Sequence, residues 1–250
     1  MPRTIFITGA SSGIGRRLGE LLTARGDRVV GFDRDARTDG TIAVDVRDAD
    51  AVEAAFATAE AQAGPPSLVI NSAGIQLGKA FVDLTAEEFT RVVEVNLLGS
   101  RHVAAAALRR LGPGGQLVLI ASLAGLVPNY GYAAYCASKY GVVGLAEVLR
   151  LECRPRGIRV SCVCPPEVET PMVDAERRTE LAPTRALKDL AGTIPLEPAV
   201  RGILEGIDRG DFLIVPSLRA RGARNLARFL PARLSHAVSD RVVARALRPR

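Results

Sequence analysis

The sequence predicts an α/β fold with one doubly wound parallel sheet and a basic helical extension at its C-terminal end. Two observations support this prediction. Short apolar runs bounded by glycine, proline or polar residues alternate with longer helical patterns, as strands and helices do in parallel sheets. The first of these runs, residues 4–8, also leads directly into a glycine-rich turn and then into a helical pattern.

The composition indicates a globular chain with its positive charge concentrated at one end. Hydrophobic residues make up 48% and charged residues 24% of 250 residues, and no apolar run approaches the roughly 18 residues of a membrane span. Residues 218–250 contain nine arginines and one acid, Asp240, so their net charge is +8 within a total of +6. We therefore predict a catalytic domain over residues 1–217 and a separate extension over residues 218–250.

The cysteines and the N-terminus bear on location. The four cysteines show no C-x-x-C spacing, and the first strand pattern begins too early to leave room for a signal peptide. We expect a cytoplasmic protein without structural disulfides, with the inner face of a membrane as an alternative location.

The turn after the first strand, residues 8–15, reads T-G-A-S-S-G-I-G. Its glycines permit a tight turn and let the backbone approach a pyrophosphate at the start of a helix. The turn therefore predicts a dinucleotide site. The residues assigned to it are Gly9, Ser11, Ser12, Gly13, Ile14 and Gly15.

Asp33 follows the second predicted strand, residues 28–32. A carboxylate there can accept both hydroxyls of the adenosine ribose and would repel a 2′-phosphate, which predicts NAD as the cofactor. Arg34 keeps NADP open, because a guanidinium pairs with phosphate. The alternative interpretation of Asp33 is an ordinary turn residue.

The middle of the chain continues the alternation of strands and helices. A third strand, residues 41–44, precedes Asp45 and Val46, and a fourth, residues 67–70, leads into N-S-A-G at 71–74. Such polar turns at the carboxyl ends of strands are where open α/β sheets bind ligands. Residues 85–111 then predict a long helix that begins with a capping box of Thr85 and Glu88 and is interrupted at Asn96 and Gly99. Asn96 is either a mild solvent-facing defect or a bend that presents a carbonyl. His102 has no metal-like neighbours, so we predict no metal site.

Residues 114–139 hold the candidate catalytic groups. An apolar strand, residues 117–121, ends at Ser122, and a helix from Ala133 carries Tyr135 and Lys139 on one face. A nearby ammonium lowers the pKa of a phenol and would let it exchange a proton with an alcohol oxygen. The alternative is an ordinary helix that happens to present a tyrosine and a lysine.

The remaining pattern completes the sheet. A strand over residues 158–164 is followed by P-P-E-V-E-T-P at 165–171, and a helix over 197–209 leads to a last strand over 212–215. Residues 172–196 lack a clear strand and carry mixed charge, which predicts a mobile lid.

With these motifs in place, residues 3–216 resemble the short-chain dehydrogenase/reductase family, which implies a single-domain Rossmann-type fold. Asn96, Ser122, Tyr135 and Lys139 match its catalytic tetrad, and Asp45 matches its adenine-contacting acid. Two positions depart from the usual motifs. Ser72 replaces the second asparagine of N-N-A-G, and Pro166 replaces the glycine of the P-G segment beside the nicotinamide.

The resemblance implies hydride transfer between a nicotinamide cofactor and an alcohol or ketone. It assigns Tyr135 as acid/base, Ser122 as the group that orients the substrate oxygen, and Lys139 to the nicotinamide ribose and the pKa of the tyrosine. The Asn96 carbonyl would hold a relay water, and Thr170 would contact the carboxamide. Further cofactor contacts would come from Val46, Asn71, Ala73, Gly74, Pro165 and Val168. It also implies a homodimer or homotetramer.

A narrower resemblance concerns the substrate loop. Residues 165–185, together with G-L-A-E-V-L-R-L-E before them, are similar to 3-ketodihydrosphingosine reductases, which implies a lipophilic keto substrate. The alternative function is a nicotinamide-binding regulator or scaffold without turnover. A nucleic-acid binder is disfavoured, because the arginine-rich tail has few aromatic residues for stacking.

The tail itself predicts one or two amphipathic helices broken at Pro231. Apolar residues recur every three to five positions among the arginines, at 226, 229, 230, 234, 238, 242 and 247. A basic amphipathic helix lies in the headgroup plane of anionic bilayers, which predicts peripheral membrane contact apart from the catalytic core. The equal alternative is that the apolar face packs on the domain or between subunits.

Overall fold

A parallel sheet of seven strands forms the centre of the computed structural model, which describes residues 2–37 and 40–248. The described residues form nine strands, of which seven belong to this sheet. They are β1 (Thr4–Thr8), β2 (Arg28–Asp33), β3 (Ile42–Ala43), β4 (Leu68–Asn71), β5 (Gln116–Ile120), β6 (Arg159–Val163), β7 (Glu167–Val168), β8 (Thr193–Ile194) and β9 (Leu213–Ile214). The main sheet has the order β3-β2-β1-β4-β5-β6-β9, and β7 pairs with β8 separately. The predicted doubly wound parallel sheet is confirmed.

Helices cover both faces of this sheet. The described residues form α1 (Gly13–Ala24), α2 (Ala49–Ala63), α3 (Ala86–Val93), α4 (Gly99–Arg110), α5 (Ala133–Cys153), α6 (Pro171–Glu176), α7 (Ala182–Ala191), α8 (Leu196–Arg209), α9 (Leu218–Phe229) and α10 (Ala232–Ala246). On one face Phe6, Phe32 and Phe56 pack ring against ring, with centroids 4.8–5.4 Å apart. On the other face Ile5 and Ile7 pack beneath α1 and α8. Alternating side chains of β1 thus supply both cores.

The strand order places the site. The chain runs outward from β1 to β3 and then returns to β4 on the other side of β1, so the crossovers diverge between β1 and β4. Ligands bind at such a switch point, outside the carboxyl ends of the strands. The glycine-rich turn after β1, the N-S-A-G turn after β4 and Ser122 after β5 all lie at this edge.

The long helix predicted over residues 85–111 is divided. Thr85 caps α3 through a reciprocal pair of hydrogen bonds with Glu88, as the sequence predicts. A π-helical turn, Glu94–Leu98, then separates α3 from α4. The wider turn moves the helix axis and brings Gly99 against Val46, where an added Cβ would lie 2.7 Å from a Val46 methyl group.

The expectation that residues 172–196 lack a strand is wrong. These residues form α6 and α7, and Thr193–Ile194 pairs in parallel with Glu167–Val168. The tail forms α9 and α10, which pack against α7. We call α6, α7, α9 and α10 the cap. Within the described residues, none of the helices is both long and apolar enough to cross a bilayer.

Candidate active site

A cavity of about 680 Å³ opens at the carboxyl edge of the sheet, beneath the cap. Its walls include most of the residues that the sequence assigned to the cofactor and to catalysis. Those that line it are Gly9, Ser12, Gly13, Ile14, Asp33, Arg34, Asp45, Val46, Ala73, Gly74, Ser122, Tyr135, Lys139, Pro165, Val168 and Thr170. Ser11, Gly15 and Asn96 do not line it but contact residues that do. Asn71 lies outside the lining and bonds Thr8 and Ser100.

Ser122, Tyr135 and Lys139 meet at the centre of this cavity. Ser122 ends β5, and its hydroxyl accepts a hydrogen bond from the Ala124 backbone N–H at 3.1 Å. Lys139 lies one turn after Tyr135 on α5, with its Nζ 5.7 Å from the centre of the tyrosine ring. The same Nζ donates to the Ile120 carbonyl at 3.0 Å, which holds the buried ammonium at the end of β5.

The direction of the tyrosine pKa differs from the expectation. Burial raises the pKa of Tyr135 to about 12, although the hydrogen bond with Ser122 opposes the rise. Burial acts on the neighbouring ammonium in the opposite direction and lowers the pKa of Lys139 to about 8. The phenol is therefore set to donate a proton in this state of the protein.

Asn96 lies behind the cavity, fully buried in the π-helical turn. Its side chain bonds both backbone groups of Ile75, through Oδ1 at 2.8 Å and Nδ2 at 2.9 Å. Its main-chain carbonyl accepts a hydrogen bond from the Ser100 hydroxyl at 2.5 Å. Asn71 in turn donates to Ser100 at 2.8 Å. Of the alternatives for Asn96, a solvent-facing position is wrong, because the residue is fully buried in the π-helical turn.

The glycine-rich turn owes its shape to close packing. A Cβ on Gly15 would lie 2.3 Å from the Gly9 carbonyl oxygen, so no side chain fits there. Gly9 and Gly13 have φ values of +68° and +52°, which glycine adopts without strain. The Ser11 hydroxyl is buried without a hydrogen-bond partner within the part of the chain that the structure describes.

Two acids stand at the adenosine end of the cavity. The Asp33 carboxylate accepts the backbone N–H groups of Ser11 at 3.0 Å and Asp35 at 3.1 Å, which fixes its direction. Asp45 is bound by the Arg47 guanidinium, whose hydrogen bonds lower the pKa of Asp45 although burial opposes the shift. Arg34 lies 3.4 Å from Asp35, so its charge is partly neutralised.

The N-S-A-G turn contributes backbone rather than side chains. The Asn71 amide oxygen accepts the Thr8 hydroxyl at 2.6 Å, and this buried bond joins β4 to β1. A Cβ on Gly74 would lie 3.2 Å from Asn96 Oδ1 and 3.6 Å from Lys139 Nζ. The missing side chain keeps the space beside the ammonium open.

The residues present fit a dinucleotide cofactor. The turn offers backbone N–H groups at the start of α1, a buried and unpartnered Ser11 hydroxyl, and Asp33 at the end of β2. At the other end, the Lys139 ammonium has three donors and bonds one oxygen among the described residues. The remaining donors and the space above Gly74 suit the hydroxyls of a ribose.

Several residues of the cavity were missed by sequence reasoning. Gln76, Tyr132, Glu176 and Lys188 form a polar group beside Tyr135, and α9 and α10 contribute apolar side chains. The tail therefore contributes to the cavity, which agrees with the alternative that its apolar face packs on the domain. The spacing Tyr132 to Tyr135 places both residues near one face of α5, but no pattern indicated the partners from α6 and α7.

Three carboxylates of this polar group, from Glu167, Glu176 and Glu180, lie within 4.8 Å of one another. Lys188 occupies the space between them, with its Nζ 3.2 Å from Glu176 and 2.5 Å from Glu180. Burial opposes ionisation of Glu167, but hydrogen bonds from Lys188, Arg177 and Thr193 bring its pKa to about 2. The cluster is thus a network of ion pairs.

The comparisons with known proteins agree with this geometry. The sequence model of the short chain dehydrogenase family matches residues 3–181. The chain is 29% identical over 232 residues to a 3-ketodihydrosphingosine reductase of Bos taurus, covering 83% of this chain and 69% of that protein. It is 33% identical over 233 residues to a 3-dehydrosphinganine reductase of Arabidopsis thaliana, covering 85% and 69%.

A solved structure shows the same fold with a cofactor. It is a short chain dehydrogenase/reductase from Burkholderia phymatum in complex with NAD, 26% identical to this chain, with a TM-score of 0.79. The match covers 91% of this chain and 93% of that one.

Proposed function

Because the chain belongs to the short chain dehydrogenase family and is an NAD(P)-dependent oxidoreductase of alcohol or carbonyl groups, we propose that its substrate is a lipophilic ketone or secondary alcohol. The observation that carries this proposal is the two-ended cavity. Ser122 and Tyr135 form a polar end, whereas the cap supplies a long apolar wall. That wall consists of Leu187, Leu190, Ala223, Leu226, Leu230 and Val238. The names of the two relatives support a long-chain keto substrate.

The proposed mechanism assigns one task to each central residue. When bound, the nicotinamide cofactor supplies the hydride to the carbonyl carbon or accepts it from the carbinol carbon. Tyr135 gives its phenolic proton to the substrate oxygen in reduction and takes it back in oxidation. Ser122 binds the same oxygen, and Lys139 binds the ribose through the donors that Ile120 leaves free. A relay water at the Asn96 carbonyl would share that oxygen with Ser100.

We propose NAD as the preferred cofactor. Asp33 is held by two backbone N–H groups with its carboxylate at the cavity wall, where it would accept ribose hydroxyls and repel a phosphate. Arg34, the residue that kept NADP open, is paired with Asp35.

Turnover with a long-chain and a short-chain ketone tests the substrate proposal. Purified full-length protein is given 3-ketodihydrosphingosine or 2-butanone with NADH or NADPH, and nicotinamide absorbance is followed. We expect kcat/KM to be at least about tenfold higher for the long chain, since each buried CH₂ contributes about 0.8 kcal/mol. Equal values for both ketones would contradict the proposal. Absence of turnover with a wide ketone panel would favour a regulator or scaffold.

We also propose that the tail contacts an anionic membrane, with the protein at its cytoplasmic face. The ion pairs of the described residues all lie between residues 3 and 211, so the arginines of 218–248 have no carboxylate partner there. Large apolar side chains are exposed beside them, with Phe229 exposed to 75%. The others that do not line the cavity are Leu218, Leu234 and Leu247. Each basic residue near such a surface contributes about 1 kcal/mol.

Co-sedimentation with vesicles tests this contact on the full-length chain. We expect binding to vesicles that contain phosphatidylglycerol and none to pure phosphatidylcholine. Replacing Arg228, Arg233, Arg241 and Arg245 by Gln should abolish it, whereas replacing Arg16 and Arg109, exposed on the domain, should not. Binding that is unaffected by the tail substitutions would contradict the proposal.

A homodimer through α4 and α5 is the proposed assembly, with a homotetramer as the alternative. Exposed apolar side chains on this face, among them Val148 and Leu151, would be buried by a second copy. Leu151→Arg should convert the dimer to a monomer in analytical ultracentrifugation. An unchanged mass would place the interface elsewhere.

A further inference from the structure

The phenol of Tyr132 lies beside the catalytic phenol but bonds to a different part of the molecule. Its ring is 5.5 Å from the Tyr135 ring, and its side chain is almost fully buried just before α5. The hydroxyl accepts a hydrogen bond from Gln76 Nε2 at 2.5 Å and donates one to the Glu176 carboxylate. Gln76 follows β4, and Glu176 ends α6, so one hydroxyl joins three separate segments.

Glu176 extends this connection into the rest of the cap. Its second oxygen lies 3.2 Å from Lys188 Nζ on α7. Lys188 is also paired with Glu180, and the Thr184 hydroxyl donates to the Tyr130 carbonyl at 2.9 Å. Two helices of the cap are therefore attached to the segment that begins the catalytic helix. The helix α6 is attached through Tyr132, and α7 is attached through Glu176 and separately through the Tyr130 carbonyl.

The hydrogen bond between Tyr132 and Glu176 has the chemistry of a stable contact. Burial raises the pKa of the Tyr132 phenol well above its usual value, and the Glu176 charge raises it further, so the hydroxyl stays a donor. A hydroxyl bonded to a carboxylate is among the stronger hydrogen bonds in proteins. Separating α6 from α5 would leave the carboxylate, the phenol and the Gln76 amide without these partners.

We propose that Tyr132 is a positioning residue that holds the cap closed over the substrate cavity by joining Gln76 to Glu176. The hydroxyl itself takes no proton from the substrate. It holds α6 against the start of α5, and so sets how closely the cap covers a bound substrate. Admission of the substrate then requires this contact to open, and productive binding requires it to close.

Hydrogen exchange of the full-length protein tests the closure without any substrate. In Tyr132→Phe, amide exchange over residues 171–191 should become about tenfold faster, since the closed state loses a bond to a charged group. Tyr140→Phe, on the exposed side of the same helix, should leave exchange unchanged. Glu176→Gln, which keeps an acceptor for the phenol, should give a smaller increase. Unchanged exchange in Tyr132→Phe would overturn the proposal.

Kinetics separate positioning from a merely structural role, and this second readout rests on the proposed function. With 3-ketodihydrosphingosine, Tyr132→Phe should raise KM about tenfold and change kcat by less than about twofold, with an unaltered pH profile. A fall in kcat together with a shifted pH profile would show instead that Tyr132 takes part in proton transfer. If the wild-type protein turns over no ketone, only the proposed function fails, because the exchange experiment still decides the closure.

Discussion

The two sides of the cavity are built in different ways. We call the side formed by strand ends, the turns that follow them and the first two turns of α5 the strand-edge wall. In this wall three functional side chains are held by backbone groups: Asp33 by two N–H groups, Ser122 by the Ala124 N–H and Lys139 by the Ile120 carbonyl. In the cap, side chains hold one another, as Glu176 and Lys188 do.

This difference determines how each side of the cavity responds to substitutions. Backbone partners come with the fold, so the wall needs only the right residue at the end of a strand. Side-chain partners in the cap come from distant positions, such as Tyr132 with Glu176, and each requires the other. We expect substitutions in the wall to affect chemistry and those in the cap to affect access and substrate choice.

The largest effect is expected for Tyr135→Phe in the wall. Removal of the phenolic proton should lower kcat by about 10³-fold, in the range observed for lost acid–base groups, while the Kd for NAD stays within twofold or so. Tyr130→Phe, in the loop before the same helix, is the matched control. Activity within about threefold of wild type would show that Tyr135 is not the acid/base.

Lys139→Met should increase stability and abolish activity together. The pKa of Lys139 is lowered from 10.5 to about 8 on folding, so below pH 8 the folded state carries a costly buried charge. The substitution should therefore raise the free energy of unfolding by about 3 kcal/mol at pH 7. Between pH 8 and 10.5 the unfolded wild-type chain holds more protons than the folded one, so the wild-type protein gains stability as the pH rises. The difference in stability between the wild-type protein and Lys139→Met should therefore vanish over this range.

Urea denaturation across this pH range measures the effect. Lys79→Met, which breaks the partly exposed pair with Glu88, serves as the control and should cost less than about 1 kcal/mol at every pH. A destabilised Lys139→Met protein at pH 7 would mean that the ammonium stabilises the fold.

Asp33→Ala should change the cofactor preference by an intermediate amount. Loss of the carboxylate removes both the ribose acceptor and the repulsion of a 2′-phosphate, so the ratio of kcat/KM for NADH over NADPH should fall at least about tenfold. Asp35→Ala frees Arg34 but leaves Asp33 in place, and it should lower the ratio less. A wild-type preference for NADPH would show that Asp33 does not face the ribose.

The smallest effect is expected for Gly222→Ala in α9. A Cβ there would meet nothing within 4 Å, and alanine favours a helix over glycine by about 1 kcal/mol, so the melting temperature should rise slightly. Gly15→Ala in α1 should instead unfold or severely destabilise the protein, because its Cβ would overlap the Gly9 carbonyl. Equal effects at the two positions would contradict the close packing at Gly15 and the open space at Gly222.

Sequence reasoning succeeded mainly on the strand-edge wall. The strand ends at Asp33 and Ser122, the glycine-rich turn and the capping box at Thr85 lie as the local pattern predicted, within a residue or two. It failed on residues 172–196, because a two-residue strand such as Thr193–Ile194 exists only through its pairing with Glu167–Val168. Sequence reasoning also gave the wrong direction for the pKa of Tyr135. The spacing along α5 indicates that a lysine lies nearby, but it does not show how deeply the phenol is buried.

By itself, the sequence determined the alternation of strands and helices, the carboxyl edge at which the site lies and the chemical groups placed there. These follow from periodicity and from residues adjacent in the chain, which act over one strand or one turn of helix. The tertiary structure alone decided that the tail lies over the cavity, that Ser100 shares the Asn96 carbonyl, and that Tyr132 joins the cap to α5. Each of these contacts depends on how helices pack and on which polar groups lose water. The spacing of nearby residues encodes neither the packing nor the loss of water.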